Sequence, residues 1–189
     1  MTDTRVHVHV EIVMSVARTQ IQPSGRERFF GEDEIIVSKT DLKGKITYAN
    51  HVFIKVSGYT EDELLGAPHS LIRHPSMPRA VFKFLWDRLF AGHEVFAYVN
   101  NMAKSGDNYW VLAHVTPSYG ANGEMVGFHS NRRVPDKSKI AKVEPVYAAL
   151  LAEERRHADR ANGLQSSFDV LVSTLQSTGK SYDEWVWTL

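Results

Sequence analysis

The chain has 189 residues, 43 % hydrophobic and 11 % aromatic, enough for one domain of ordinary size with appendages and too apolar for wholesale disorder. Lys plus Arg and Asp plus Glu both number 22, so no net field recruits nucleic acid or anionic lipid. The absence of cysteine excludes disulfides, thiol catalysis and thiolate-bound metals, and no run of 18 apolar residues is present to span a membrane, so a soluble, cytoplasmic protein is expected.

At the N-terminus Val6, Val8, Val10 and Ile12 alternate with His7, His9 and Glu11, a period of two that predicts a short strand with one polar face. The same interruptions rule out a signal-peptide core. His7, His9 and Glu11 have the spacing to chelate a metal, but no further ligand cluster joins them, and a solvated face is favoured. Gln20 to Arg28, with Pro23-Ser24-Gly25, has a linker composition. Residues 1–30 therefore read as a prefix, 31–136 as a sensor-sized domain and 137–189 as a helical segment.

Glu34 to Thr40 is β-rich, Asp41-Leu42-Lys43-Gly44-Lys45 turns, and Ile46 to Ala49 returns. Asn50 is a good N-cap for a short helix over His51–Ser57 that Gly58 ends, and Thr60 with Glu63 forms a capping box. The segment Gly66 to Pro78 joins His69, Arg73 and His74 to three prolines, and Ser76 is placed to cap the next helix with Pro78 in its first turn. Val81, Phe82, Leu85, Leu89 and Phe90 make an apolar stripe closed by Gly92. Val95, Ala97 and Val99 mark a strand, Tyr109 to Val115 the next, and the Asn122-Gly123 hairpin signal leads to a last strand over Met125–Ser130. The fold class is α+β: a five-stranded antiparallel sheet with helices on one face, an N-terminal arm and C-terminal helices.

Beyond Pro135 the pattern is helical. Val146, Leu150, Glu153 and His157 share a face, and Glu153-Glu154-Arg155-Arg156 reads as a solvated surface. Gly163 interrupts, and Leu164, Phe168, Leu171 and Leu175 then form a narrow stripe suited either to the chain's own sheet or to a partner helix. Trp185 and Trp187 could cover an apolar patch or dock to another protein. His114 lies on the Trp110 side of its strand, which reads as inward. The sequence contains no activated nucleophile, phosphate-cradling loop or catalytic carboxylate pair, so an enzyme is not expected.

Asp41 to Asn50, Val56-Ser57-Gly58-Tyr59, Pro68-His69, Arg73-His74-Pro75-Ser76-Met77-Pro78 and Gly106-Asp107-Asn108-Tyr109-Trp110-Val111 together resemble a PAS domain, and within that family the aerotaxis-transducer (Aer-like) branch. The resemblance covers roughly Glu34 to Arg133. It implies non-covalent binding of FAD, with contacts from Asn50, His69, Arg73 and His74 and with Trp110 as a pocket wall. Two positions depart from the branch: Ser76 stands where an acidic residue is common, and Val95, with Phe96 beside it, where a tryptophan is. Phe96 is the candidate substitute. Arg73 could make a two-pronged bond to a pyrophosphate or a reduced ring, and His69 and His74 could titrate near neutrality. The function so implied is sensing of redox state or oxygen, signalled in trans to a chemoreceptor or histidine kinase from a homodimer. A cofactor-free dimerisation or adaptor module and a haem-based gas sensor are the alternatives.

Overall fold

The computed structural model describes residues 21–189; the His7, His9 and Glu11 alternation lies outside them. Five strands, β1 (Ile36–Thr40), β2 (Ile46–Ala49), β3 (Val95–Met102), β4 (Asn108–Tyr119) and β5 (Met125–Arg133), form one sheet in the order β2-β1-β5-β4-β3. Every neighbouring pair is antiparallel.

Between β2 and β3 run α1 (His51–Ser57), α2 (Glu61–Leu64), a 3-10 turn (His69–Ile72) and α3 (Arg79–Phe90). Asn50 caps α1 and also ties it to the sheet: its Oδ1 accepts from the Phe53 and Val37 amides, and its Nδ2 donates to the Ile35 carbonyl. Gly58, at φ 71°, ends the helix in the left-handed region that a side chain resists. Thr60 and Glu63 complete the capping box before α2. Ser76 does not cap α3. Pro78 precedes the helix without a side-chain cap, and the Ala80 amide is bonded instead by Glu154, far along the chain.

Because paired residues of an antiparallel sheet point to the same side, the register sorts the strands by parity. Ile36, Ser38, Thr40, Val99, Asn101, Tyr109, Val111, Phe128 and Arg132 share the side that meets α1, the 3-10 turn and α3, as the contacts of Arg132 with Phe53 and of Phe128 with Trp86 establish. Phe96, Tyr98, Trp110, Leu112 and His114 lie on the opposite side. Both sides bury apolar area, so the core runs through the sheet.

The C-terminal part folds as α4 (Lys137–Arg155), α5 (Arg160–Ser177) and α6 (Tyr182–Thr188). The buried face of α4 is Val143, Tyr147, Leu150 and Glu154, one step away from the face expected from Val146 and Glu153. Glu154 is not solvated: it is 7 % exposed and its carboxylate binds Arg79 Nε at 2.8 Å. Gly163 does not interrupt α5 but permits its contact with α4, since a Cβ there would stand 2.6 Å from the Glu154 carbonyl oxygen. The Leu171–Leu175 stripe is buried within the same chain, with Lys83 of α3 over the Phe168 ring.

β3 is an edge strand, and three of its outward carbonyls are engaged. Tyr182 donates its hydroxyl to the Phe96 carbonyl, Tyr147 to that of Tyr98, and the His74 amide to that of Asn100. The Asn100 amide points at Met77 Sδ. The C-terminal helices and the Arg-His-Pro turn thus cover an edge that would otherwise pair with another strand. The described part of the linker is also pinned, through Ser24 and Arg28 amides to the Gly106 and Asn108 carbonyls and through an Arg26–Asp107 ion pair.

Candidate functional site

On the helix-facing side the sheet buries an arginine. Arg132, 2 % exposed, projects from β5 over the Phe53 ring of α1 at 4.5 Å and donates from Nη2 to Ser38 Oγ at 2.5 Å. Ser38 Oγ lies 3.2 Å from His69 Nε2 on the 3-10 turn. With its oxygen already accepting from a cation, Ser38 donates its own proton to His69, which fixes the neutral imidazole with hydrogen on Nδ1. Burial, with the nearby Arg132 charge second, pushes the His69 pKa down to about 3. His69 therefore does not titrate near neutrality. Burial lowers Arg132 too, to about 10, which still leaves it charged at neutral pH.

No carboxylate answers that charge among the described residues, and Arg132 Nε and Nη1 are buried without hydrogen-bond partners. The same side of the sheet holds three further orphaned groups: the Tyr109 hydroxyl, Asn101 Nδ2 and Thr40 Oγ1. Buried polar groups are normally satisfied, each exception costing about 1–3 kcal/mol. A guanidinium and one amide donor left open together are a donor set that an acceptor-rich or negatively charged group would satisfy.

Of the residues singled out from sequence, only His69 belongs to this interior. Asn50 spends its amide on backbone. Arg73 and His74 sit at the sheet edge. Arg73 donates to the Met77 carbonyl at 2.7 Å and stacks over Phe82 at 4.3 Å, and burial lowers it to about 10. His74 Nδ1 accepts from Ser76, 2.6 Å from its hydroxyl, and burial lowers its pKa. Phe96 and Trp110 occupy the other side of the sheet, where Phe96 stacks on His114 at 4.2 Å and meets Trp187 at 4.9 Å, and Trp110 faces Tyr147. His114 is likewise on that side, held by Glu94 at 2.7 Å, so it does not point inward. Arg132, Ser38, Tyr109 and Asn101 were not singled out. Continuing the Phe128-Ser130 alternation two residues past the expected end of β5 would have found Arg132.

The order of elements, the sheet topology and a family model described as PAS fold that matches residues 46–132 agree. Residues 46–132 belong to the PAS family. The surrounding chain is 44 % identical over 121 residues to the aerotaxis receptor of Escherichia coli (strain K12), a match covering 64 % of this chain and 24 % of the receptor. It is 27 % identical over 117 residues to the nitrogen fixation regulatory protein of Klebsiella pneumoniae, covering 62 % and 24 %. The chain thus spans about a quarter of the length of these curated relatives. A solved structure of the blue-light photoreceptor Aureochrome1 LOV in its dark state matches with a TM-score of 0.48 and 23 % identity, over 65 % of this chain and 83 % of that one. Among the described residues no helix is long and apolar enough to cross a membrane, and no group of three or more His, Cys, Asp or Glu could hold a metal ion.

Proposed function

We propose that the PAS domain holds a flavin, as FAD, between the helix-facing side of its sheet and the α1–3-10 segment. It reports the redox state, and through it oxygen, in trans to proteins of the chemoreceptor or histidine-kinase type. One observation carries this reading: Arg132 is a buried cation without a counter-ion, beside the unpaired Asn101 and Tyr109 groups. A bound flavin supplies reversible electron transfer, with reduction adding negative charge to an acceptor-rich ring edge. Arg132 and Asn101 Nδ2 would offer donors alone to such an edge, while Ser38 and His69 hold the guanidinium in place. The kinship with the aerotaxis receptor supports the same direction.

Haem is less well served. The imidazole nitrogen His69 Nε2 is turned to Ser38, and His114 Nε2 is turned to Glu94 on the far side of the sheet. The deciding experiment is the absorption spectrum of the purified protein. Flavin bands bleached by dithionite, with FAD bound more weakly by Arg132→Met, support the proposal. A Soret band, or a colourless protein that dimerises and takes up no added FAD, would overturn it in favour of haem or an adaptor role.

A further inference from the structure

The α4–α5 hairpin carries a surface of a different kind, whose reading does not depend on what fills the interior. Where α4 gives way to α5, Arg155, Arg156 and Arg160 stand near Glu153, Glu154 and Asp159, but all three carboxylates are committed within the chain. Glu153 accepts from Arg156 Nη1 at 3.1 Å and from Ser166 Oγ at 2.6 Å, and lies 3.0 Å from His157 Nε2. Glu154 Oε2 accepts from Arg79 Nε at 2.8 Å and Oε1 from the Ala80 amide at 3.1 Å. Asp159 Oδ1 caps α5 through the Asn162 amide. Arg155 and Arg160 are left exposed, with no hydrogen-bond or ion-pair partner among the described residues.

These two arginines line a groove of about 570 Å³ that the hairpin shares with the start of α3. Leu151 and Pro75 add apolar lining, and Arg73 and Arg79 bring further positive charge against the single carboxylate of Glu154. The chain as a whole has no net charge, so this excess is local. It is also felt inside the chain: burial first, then the Arg79 and Arg160 charges, hold Arg73 down to about 10.

Charged groups around an apolar lining, with arginine prominent, have the composition of a protein contact surface. A small free anion would meet a guanidinium but leave the apolar lining wet and most of the volume unfilled. A flat lipid surface would not enter a concavity. An acidic peptide segment answers both features. Its carboxylates match guanidinium forks, as Glu154 already does for Arg79 in the same groove, and an apolar residue among them would cover Leu151.

We infer that the groove is a docking surface for an acidic segment of a partner protein, one that carries several carboxylates around an apolar residue. The seat lies on α4, α5 and the first residue of α3, and α4 covers the β3 edge through Tyr147. A docked partner is thereby joined to the helices that close the sheet.

The test uses the full chain as purified. It is titrated by calorimetry with an end-capped peptide of sequence Glu-Glu-Leu-Glu-Glu, with its Gln-Gln-Leu-Gln-Gln counterpart and with inorganic pyrophosphate, and is sedimented with phosphatidylserine vesicles. Saturable binding of the acidic peptide is expected, weakening as salt is raised, with none of the glutamine peptide. Arg155→Ala with Arg160→Ala should weaken it by about tenfold and melt slightly above the wild type, since the like charge bearing on Arg73 is reduced. Arg156→Ala removes the same charge from a residue already paired with Glu153 and should leave binding within about twofold. No saturable heat, equal binding of both peptides, or binding preserved in the double variant overturns the inference. Pyrophosphate held more tightly than the peptide would make this a small-anion site, and vesicle binding lost in the double variant a membrane contact; either result also overturns it. All of these readouts hold whether the protein is yellow or colourless.

Discussion

Replacing Arg132 with Met separates a cation kept for a ligand from one kept for the fold. Met retains much of the apolar stem but loses the bond to Ser38 and the stack on Phe53, 4.5 Å away. A hydrogen bond to a charged group contributes about 1.5–3 kcal/mol, and a desolvated cation–π contact about 2 kcal/mol. Opposing them is the desolvation of an ion, several kcal/mol, which no carboxylate offsets here. The two sides nearly cancel, so the unliganded variant should unfold within about 1 kcal/mol of the wild type, or about 2–4 °C in Tm. A cation compensated by an unseen partner would instead lose about 3–5 kcal/mol. With flavin bound, the variant gives up donors at Nε and Nη1. An affinity loss of about 2 kcal/mol, roughly 30-fold, is expected. Since the charge favours the reduced form, removing a differential of about 1.4–2.8 kcal/mol lowers a two-electron potential by about 30–60 mV. Calorimetry on the unliganded form and a dye-coupled redox titration on the loaded form give both numbers. A Tm drop beyond about 10 °C, or an unchanged affinity and potential, refutes the reasoning.

Three further outcomes follow from the geometry. His69 is held neutral with a folded pKa near 3 against an ordinary 6.5, so the unfolded chain binds the extra proton and the stability it supports is present above pH 6.5 and lost as pH falls from there towards 3. Denaturant melts of wild type and His69→Gln should diverge by about 1 kcal/mol for each pH unit below 6, and parallel curves would discard the assignment. Tyr147→Phe and Tyr182→Phe each remove one donor to the β3 edge and should cost about 1–2 kcal/mol, with faster amide exchange in α4 or α6 and no change in the interior strands. Gly163→Ala should destabilise by about 1–3 kcal/mol in thermal melts despite alanine's better helix propensity, because its Cβ meets the Glu154 carbonyl at 2.6 Å; a stabilised variant would show that α5 can move away freely.

What the sequence disclosed was mostly local. The Asn50 cap, the Thr60–Glu63 box and the Asn122-Gly123 hairpin depend on neighbours a few residues apart, and each formed as expected. Strand parity likewise grouped Trp110 with His114. It did not tell which group faces α1 and α3, because helices cover the sheet on both sides and apolar residues occupy both parities. The placement of Phe96, Trp110 and His114 therefore needed three dimensions. Arg132 contradicts the usual exposure of its residue type, and Glu154 sits in a charge run whose other members are largely solvated. Their burial is set by partners distant in the chain, Ser38 and Arg79.

Even-numbered and odd-numbered positions of β3 and β4 answer to different neighbours, so the residues that would greet an occupant and those that grip the C-terminal helices can be exchanged independently. Trp110 could vary to loosen the grip without disturbing Tyr109 beside it. Inserting or deleting one residue in either strand has the opposite effect, transposing the two sets at once, which makes length in these strands far less negotiable than composition.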